Sequence, residues 1–148
     1  MGYYFNPNIY PLEEYEKRLK ATENIARIMD FPLIVPPYDN KKWLQVAAEL
    51  AQEPEGGRRC DVCFRIRLQS TFNYMQEISF DFFTTTLTIG PQKSAEKVNR
   101  IGKEIGGDKF LAKDFKKQDG FQRANQLAKQ FQIYRQNYCG CIYSIRKE

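Results

Sequence analysis

Short apolar runs rich in β-forming residues alternate along this chain with stretches in which apolar residues recur every three or four positions, and this alternation most narrows the fold. It is the pattern of an α/β sheet whose parallel strands are joined by helical crossovers. Tyr3, Tyr4 and Phe5 read as the end of a buried strand, and Asn6-Pro7-Asn8-Ile9-Tyr10-Pro11 after them is turn chemistry. Residues 12–30 place Leu12, Tyr15, Leu19, Ile25, Ala26 and Met29 at helical spacing, and residues 31–35 read as a short buried strand closed by Pro36 and Pro37. A helix over 40–52, through Trp43, Leu44, Ala47 and Leu50, stops in Pro54-Glu55-Gly56-Gly57. Cys60, Phe64, Leu68, Phe72 and Met75 then share one face of a further helix. Residues 78–86, rich in Phe and Thr, give the strongest strand signal in the chain. A helix over 95–105 ended by Gly106 and Gly107, a weak strand over 109–112 and a helix over 122–131 complete the series.

With 148 residues and no linker, repeat or low-complexity tract, a single domain over 1–148 is expected. Ligands of such sheets bind outside the carboxyl ends of strands, which singles out the turn holding Asn6 and Asn8 and the segment Thr84-Thr85-Thr86-Leu87. No GxxxxGK[ST], no GxGxxG and no Ser-Gly-Gly-x-Asp-Ser stretch is present, so nucleotide hydrolysis is not supported.

The chain contains no histidine. Ser-His-Asp triads, Cys-His dyads, HExxH zinc sites and histidine-ligated non-haem iron are therefore excluded, and a metal must be held by Cys, Asp, Glu or a partner molecule. No apolar run approaches the ~18 residues of a membrane span, and Met1-Gly2-Tyr3-Tyr4 lacks the basic start and apolar core of a signal peptide. A cytoplasmic protein without membrane partners is expected. Its charge is uneven: residues 1–96 carry 11 Lys and Arg against 13 Asp and Glu, whereas residues 97–148 carry 12 against 5. A basic half with Phe115, Phe121, Phe131, Tyr134 and Tyr138 among the charges suits a polyanion with unstacked bases, RNA more than duplex DNA. A plain solvated helix face is the competing explanation.

The four cysteines fall as a CxxC, Cys60 and Cys63, and a CxC, Cys139 and Cys141, about 75 residues apart. In a reducing compartment such pairs bind metal or do redox chemistry. At the start of a helix Cys60 and Cys63 lie at i and i+3, close enough for both sulfurs to reach one metal or cluster. Arg58, Arg59, Arg65 and Arg67 and the helix dipole would favour their thiolates. Cys139-Gly140-Cys141 differs in kind, because oxidation across one residue closes a small, strained and easily reduced ring that Gly140 has the backbone freedom to permit. A structural zinc site made of all four thiolates fits the spacing as well.

Four blocks of residues together carry a resemblance. They are Tyr4-Phe5-Asn6-Pro7-Asn8-Ile9 with Glu14, Tyr15 and Arg18; Arg59-Cys60-x-x-Cys63-Phe64 with Arg67 and Leu68; Phe83-Thr84-Thr85-Thr86-Leu87 with Pro91 and Lys93; and Tyr134-Arg135-Gln136-x-Tyr138-Cys139-Gly140-Cys141. In order and spacing, nearly end to end, the chain resembles the QueH-type epoxyqueuosine reductases. The resemblance implies a three-layer α/β sandwich with a mostly parallel sheet, related to adenine-nucleotide α-hydrolase-like domains. It implies reduction of epoxyqueuosine to queuosine at the wobble position of a tRNA anticodon, with an unidentified electron donor. By the same resemblance Cys60 and Cys63 are ligands of a 4Fe-4S cluster, to which a mononuclear iron is added, and Cys139 and Cys141 are a redox-active pair. Asn6, Asn8, Arg59, Thr85 and Tyr138 are the candidate substrate-binding residues.

That family begins with a strand leading into an adjacent Cys-Cys motif that supplies further cluster ligands, and this chain starts after it. The expectation is an amino-terminal truncation lacking the first strand, inactive alone; a member that has lost its cofactor is the alternative. Removing an epoxide oxygen needs two electrons and protonation of the departing oxyanion; without histidine the donor is a Tyr, Asp, Lys, thiol or water, and Tyr134 and Tyr138 are nearest the cysteines in sequence, each with plain packing as the competing reading. Lys113, Lys116, Lys117 and Arg123 would engage anticodon phosphates. All of this requires the four sulfurs to converge at one mouth of the sheet. The rival readings are a zinc-stapled RNA-binding module without catalysis and a thiol oxidoreductase acting on proteins.

Overall fold

The computed structural model describes residues 1–145 and divides them into two compact units, one built from residues 1–51 and 126 onward, the other from residues 52–125. The first unit opens with strand β1 (Gly2–Tyr3), helix α1 (Leu12–Ile28) and strand β2 (Leu33–Ile34). β1 and β2 pair in parallel, Gly2 opposite Leu33 and Tyr3 opposite Ile34, so α1 is the crossover of a βαβ unit. Helix α2 (Asn40–Ala48) follows, its first turn capped by the Asp39 carboxylate, which accepts from the Lys42 N–H at 3.1 Å. Tyr4, Ile9 and Tyr15 form the core of this part, with Leu19, Leu33 and Tyr38 packed around them. The Tyr15 and Tyr38 rings stack 4.2 Å apart.

The second unit is organised by α3 (Arg58–Glu77) and α4 (Ala95–Gly106). Cys60, Phe64, Leu68 and Met75 point from one face of α3 into a core completed by Phe83, Val98, Ile101 and Phe110. α4 starts where the Ser94 hydroxyl accepts from the Lys97 N–H and stops at Gly107, whose φ of +53° ends the helical path. Helix α5 (Gly120–Gln130) contains the boundary between the units, and a 3₁₀ turn, Ile142–Ser144, lies near the end of the described chain.

The α/β class expected from the alternation holds, and the sheet among the described residues has two parallel strands. The strand expected over 78–86 does not form. Ile78 caps α3, Ser79 takes a φ of +58°, and the Phe80 N–H returns to the Met75 carbonyl, so the chain turns where an extended run was expected. Only Phe83 makes a β-bridge, to Phe110, which is also all that appears of the weak strand over 109–112. Two of the threonines that raised the strand signal bond the backbone instead: Thr84 donates to the Leu111 carbonyl and Thr85 accepts from the Leu87 N–H, while Thr88, just past the expected strand, accepts from the Phe115 N–H. The buried face of α1 also differs from the apolar stripe expected. Glu14, Tyr15, Arg18 and Ala26 are buried, while Leu12, Ile25 and Met29 are exposed.

Candidate active site

In the first unit, the turn after β1 brings Ile9 and Tyr10 against the cysteine loop near the end of the chain. The Tyr10 N–H donates to the Gly140 carbonyl at 2.8 Å, and the Tyr138 hydroxyl donates to the Tyr10 carbonyl at 2.6 Å. From α1, Arg18 reaches the same loop, donating from Nη1 to the Cys139 carbonyl at 3.0 Å and from Nη2 to the Tyr138 carbonyl at 3.1 Å. Its guanidinium also lies 5.0 Å from the centre of the Tyr138 ring. The third edge of Arg18, Nε, donates to Glu14 at 2.7 Å, and that carboxylate accepts from the Tyr134 hydroxyl at 2.8 Å. Glu14 and Arg18 are both buried, so the charges neutralise each other and their mutual bond is made away from bulk water.

The loop thus held presents two thiols, and neither is in a disulfide. The Cys141 thiol is pushed well above its ordinary range, first by its hydrogen bond with Cys139 and then by burial. A proton therefore stays on Cys141 at neutral pH, shared towards the Cys139 sulfur. Gly140 between them has a φ of +114°, the left-handed conformation its place in the motif anticipated. Burial raises Tyr138 and Tyr134 above the ordinary tyrosine value, with Glu14 adding to both. With their hydroxyls donating to the Tyr10 carbonyl and to Glu14, these tyrosines fasten the loop. Glu14 and Arg18 are the functional residues that motif reading placed in the sequence without assigning them work.

Asn6 and Asn8 lie in the turn beside this loop. The Asn6 carbonyl accepts from the Ile9 N–H, whereas Asn8 is 1% exposed with its Oδ1 accepting no hydrogen bond. A buried acceptor left unmatched is costly.

In the second unit, Cys60 and Cys63 both lie in the opening turns of α3 and are 7% exposed. The Gly56 N–H donates to Cys60 Sγ at 3.2 Å. The Gly56 carbonyl in turn accepts from Lys97 Nζ at 2.6 Å, and the same ammonium meets Asp61 at 3.2 Å, so α4 fastens the loop that covers the sulfur. The Cys60 sulfur thus accepts from a backbone N–H, while Arg59 donates to the Glu53 carbonyl and Arg65 pairs with Glu104. Thr85 belongs to this unit and closes the turn leading into Leu87–Ile89. Lys116 is committed to the Thr88 and Lys93 carbonyls at 2.7 and 2.9 Å, so of the basic group expected on phosphates it is built into the fold, while Lys113, Lys117 and Arg123 are exposed.

As a donor set for metal, the CxxC provides two sulfurs in the opening turns of α3 and a backbone N–H aimed at one of them, an arrangement that suits metal-bound sulfur. Among the described residues, however, no group of three or more Cys, Asp or Glu is placed to hold a metal ion. Two sulfurs are half of what a 4Fe-4S cube takes.

Comparison with known proteins covers the chain nearly end to end. The family model of epoxyqueuosine reductase QueH matches residues 1–147. Epoxyqueuosine reductase QueH of Thermotoga maritima is 35% identical over 149 residues, covering 97% of this chain and 78% of that protein. Its counterpart in Streptococcus pyogenes serotype M1 is 34% identical, covering 99% of this chain and 61% of the relative, and that of Staphylococcus epidermidis is 34% identical, covering 99% and 66%. The chain thus spans between about three fifths and four fifths of the length of these curated relatives. A match that runs through both cysteine pairs and nearly every residue between the termini shows that the chain belongs to the epoxyqueuosine reductase QueH family.

Proposed function

We propose that this chain is an oxidoreductase of queuosine biosynthesis, reducing epoxyqueuosine to queuosine at the wobble position of a tRNA anticodon. The reading rests on its membership of the family, and one observation carries the chemistry: a hydrogen-bonded pair of thiols, Cys139 and Cys141, fixed on a buried clamp. Epoxide removal takes up two electrons and two protons and releases water, and a dithiol that closes to a disulfide gives up that same number of each. Cys141 retains a proton at working pH, so the pair can deliver hydrogen to the departing oxygen without a histidine. Asn8, with its unmatched Oδ1, would receive an N–H of the substrate, and Asn6, Tyr138, Arg59 and Thr85 complete the proposed binding residues.

Cys60 and Cys63 are the proposed ligands of a 4Fe-4S cluster, with an additional mononuclear iron as part of the same reading. Such a cluster, when bound, supplies electrons singly at low potential. The exposed Lys113, Lys117 and Arg123 would meet RNA phosphates. A three-layer sandwich of the adenine-nucleotide α-hydrolase-like kind, both units acting as one reductase domain in the cytoplasm, and an external electron donor belong to this proposal.

Joined to a preceding segment that carries an adjacent Cys-Cys pair, purified anaerobically with iron and sulfide and given tRNA carrying epoxyqueuosine, the protein is expected to be brown and to form queuosine. Cys60→Ala should lose iron and sulfide, whereas Cys139→Ser should keep them and lose turnover by at least about 100-fold. Colourless protein with stoichiometric zinc would replace the enzyme with an RNA-binding module, and unchanged turnover in Cys139→Ser would remove the dithiol from the reaction.

A further inference from the structure

The contacts of Arg18 extend past the support of a loop. Of the two carbonyls it holds, that of Cys139 belongs to a peptide group inside the ring that a Cys139–Cys141 disulfide would close, and that of Tyr138 to the peptide group leading into it, so both bonds fix the backbone that such a closure draws on. The carbonyl after them, that of Gly140, is held from the other side by the Tyr10 N–H. Gly140 itself has no room to shift towards α1, because a Cβ at that position would lie 2.7 Å from Arg18 Nη1. Arg18 cannot easily turn away, since its Nε is tied to a buried carboxylate one helical turn earlier. The observed set of bonds therefore fits the open, dithiol form of the loop.

We propose that Arg18, oriented by Glu14, is a positioning residue that holds the Cys139/Cys141 loop in its dithiol geometry and so raises the reduction potential of the pair. The inference rests on the reading of these cysteines as a redox pair. The reaction concerned is the closing of Cys139 and Cys141 to a disulfide with loss of two protons and two electrons, the acceptor being the epoxide in the enzyme or oxidised glutathione in the test. Because the disulfide form loses bonds that the dithiol form keeps, the clamp disfavours oxidation. It would hold the pair ready as thiols between turnovers and make its disulfide easy to reduce again.

The test uses the whole chain in glutathione buffers of graded ratio, quenched with iodoacetamide and digested with trypsin. Residues 136–146 come away as one peptide containing Cys139 and Cys141 and no other cysteine, so its disulfide and doubly alkylated forms report this pair alone. Arg18→Lys keeps a cation beside Glu14 but cannot serve both carbonyls and Glu14 together, and Glu14→Gln with Arg18→Met removes the charges as a pair. Both are expected to form the disulfide at least about tenfold more readily than the parent, a shift of ~30 mV towards more reducing potential for this two-electron couple. An equilibrium unchanged within twofold, or shifted the other way, overturns the proposal. Should a variant fail to fold, NMR of the Arg18 Nε–H in the parent protein decides: its protection should fall on oxidation, and an unchanged signal overturns the proposal. A parent peptide that forms no disulfide at any ratio would overturn the redox reading itself, a result separate from a disulfide that forms without regard to Arg18.

Discussion

At Gly140 two constraints fall on one atom. Its φ of +114° is open to few L-residues, and an added methyl would meet Arg18 Nη1 at 2.7 Å and Ile9 Cγ1 at 3.1 Å. Gly140→Ala should therefore destabilise the chain by about 1–3 kcal/mol in urea titration, and a loss below about 0.5 kcal/mol would show a loop that adapts freely. The sequence marks this glycine because its neighbours are cysteines with only one residue between them. Glu14 and Arg18 are harder to read. On a helix whose apolar spacing points to Leu12, Ile25 and Met29, two charged residues look solvated, and nothing local records that their partners Tyr134, Tyr138 and Cys139 lie some 120 residues away. For Tyr134 and Tyr138 nearness to the cysteines left proton donation and packing both open, and their hydroxyls donate to Glu14 and to the Tyr10 carbonyl.

Among the elements, the helices were legible because a buried face repeats every 3.6 residues. Cys60, Phe64, Leu68 and Met75 fill the core of α3 as their spacing requires. Residues 78–86 were misread because β-propensity records fit to a pleated, half-buried surface, and this segment has no neighbouring strand beyond the bridge at Phe83. The pairing of α3 with α4 around Phe110 gives a test in which two effects oppose. Replacing Gly102 by Ala on α4 gains about 1 kcal/mol of helix propensity. The new methyl, however, would sit 2.4 Å from Phe110 Cε1 and Cζ. Phe110 is 1% exposed and lies edge-on to Phe83, 5.1 Å between ring centres, so it has nowhere to withdraw. Overpacking of this kind costs roughly 1–3 kcal/mol, and some of it exceeds the propensity gain. Gly102→Ala should lower the urea midpoint, and a raised midpoint would show that the ring relocates without cost.

Across the whole molecule, the grouping of residues 1–51 with those from 126 onward has no local signature, since no linker or change of composition marks either boundary. It has a titration signature instead. In that first unit Cys141 is raised by its bond with Cys139 and by burial, and Tyr15, Tyr38, Tyr134 and Tyr138 are raised chiefly by burial. Each is an acid that is easier to ionise in the unfolded chain, where a thiol titrates at 9.0 and a phenol at 10.0. The neutral forms thus contribute stability that is complete below those values and is lost as pH rises above them. Trp43 is the single tryptophan, is buried in the same unit and packs 6.3 Å from Tyr143, so its fluorescence reports that unit's unfolding. Urea midpoints followed at Trp43 should be level from about pH 7 to about pH 8, begin to fall near pH 9 and fall more steeply beyond pH 10 as the tyrosines join. Cys141→Ser should remove the first part of the decline and leave the second. A midpoint that holds constant to about pH 10.5, or a Cys141→Ser profile parallel to the parent throughout, would mean that the thiol pair is not carrying its proton into the folded state.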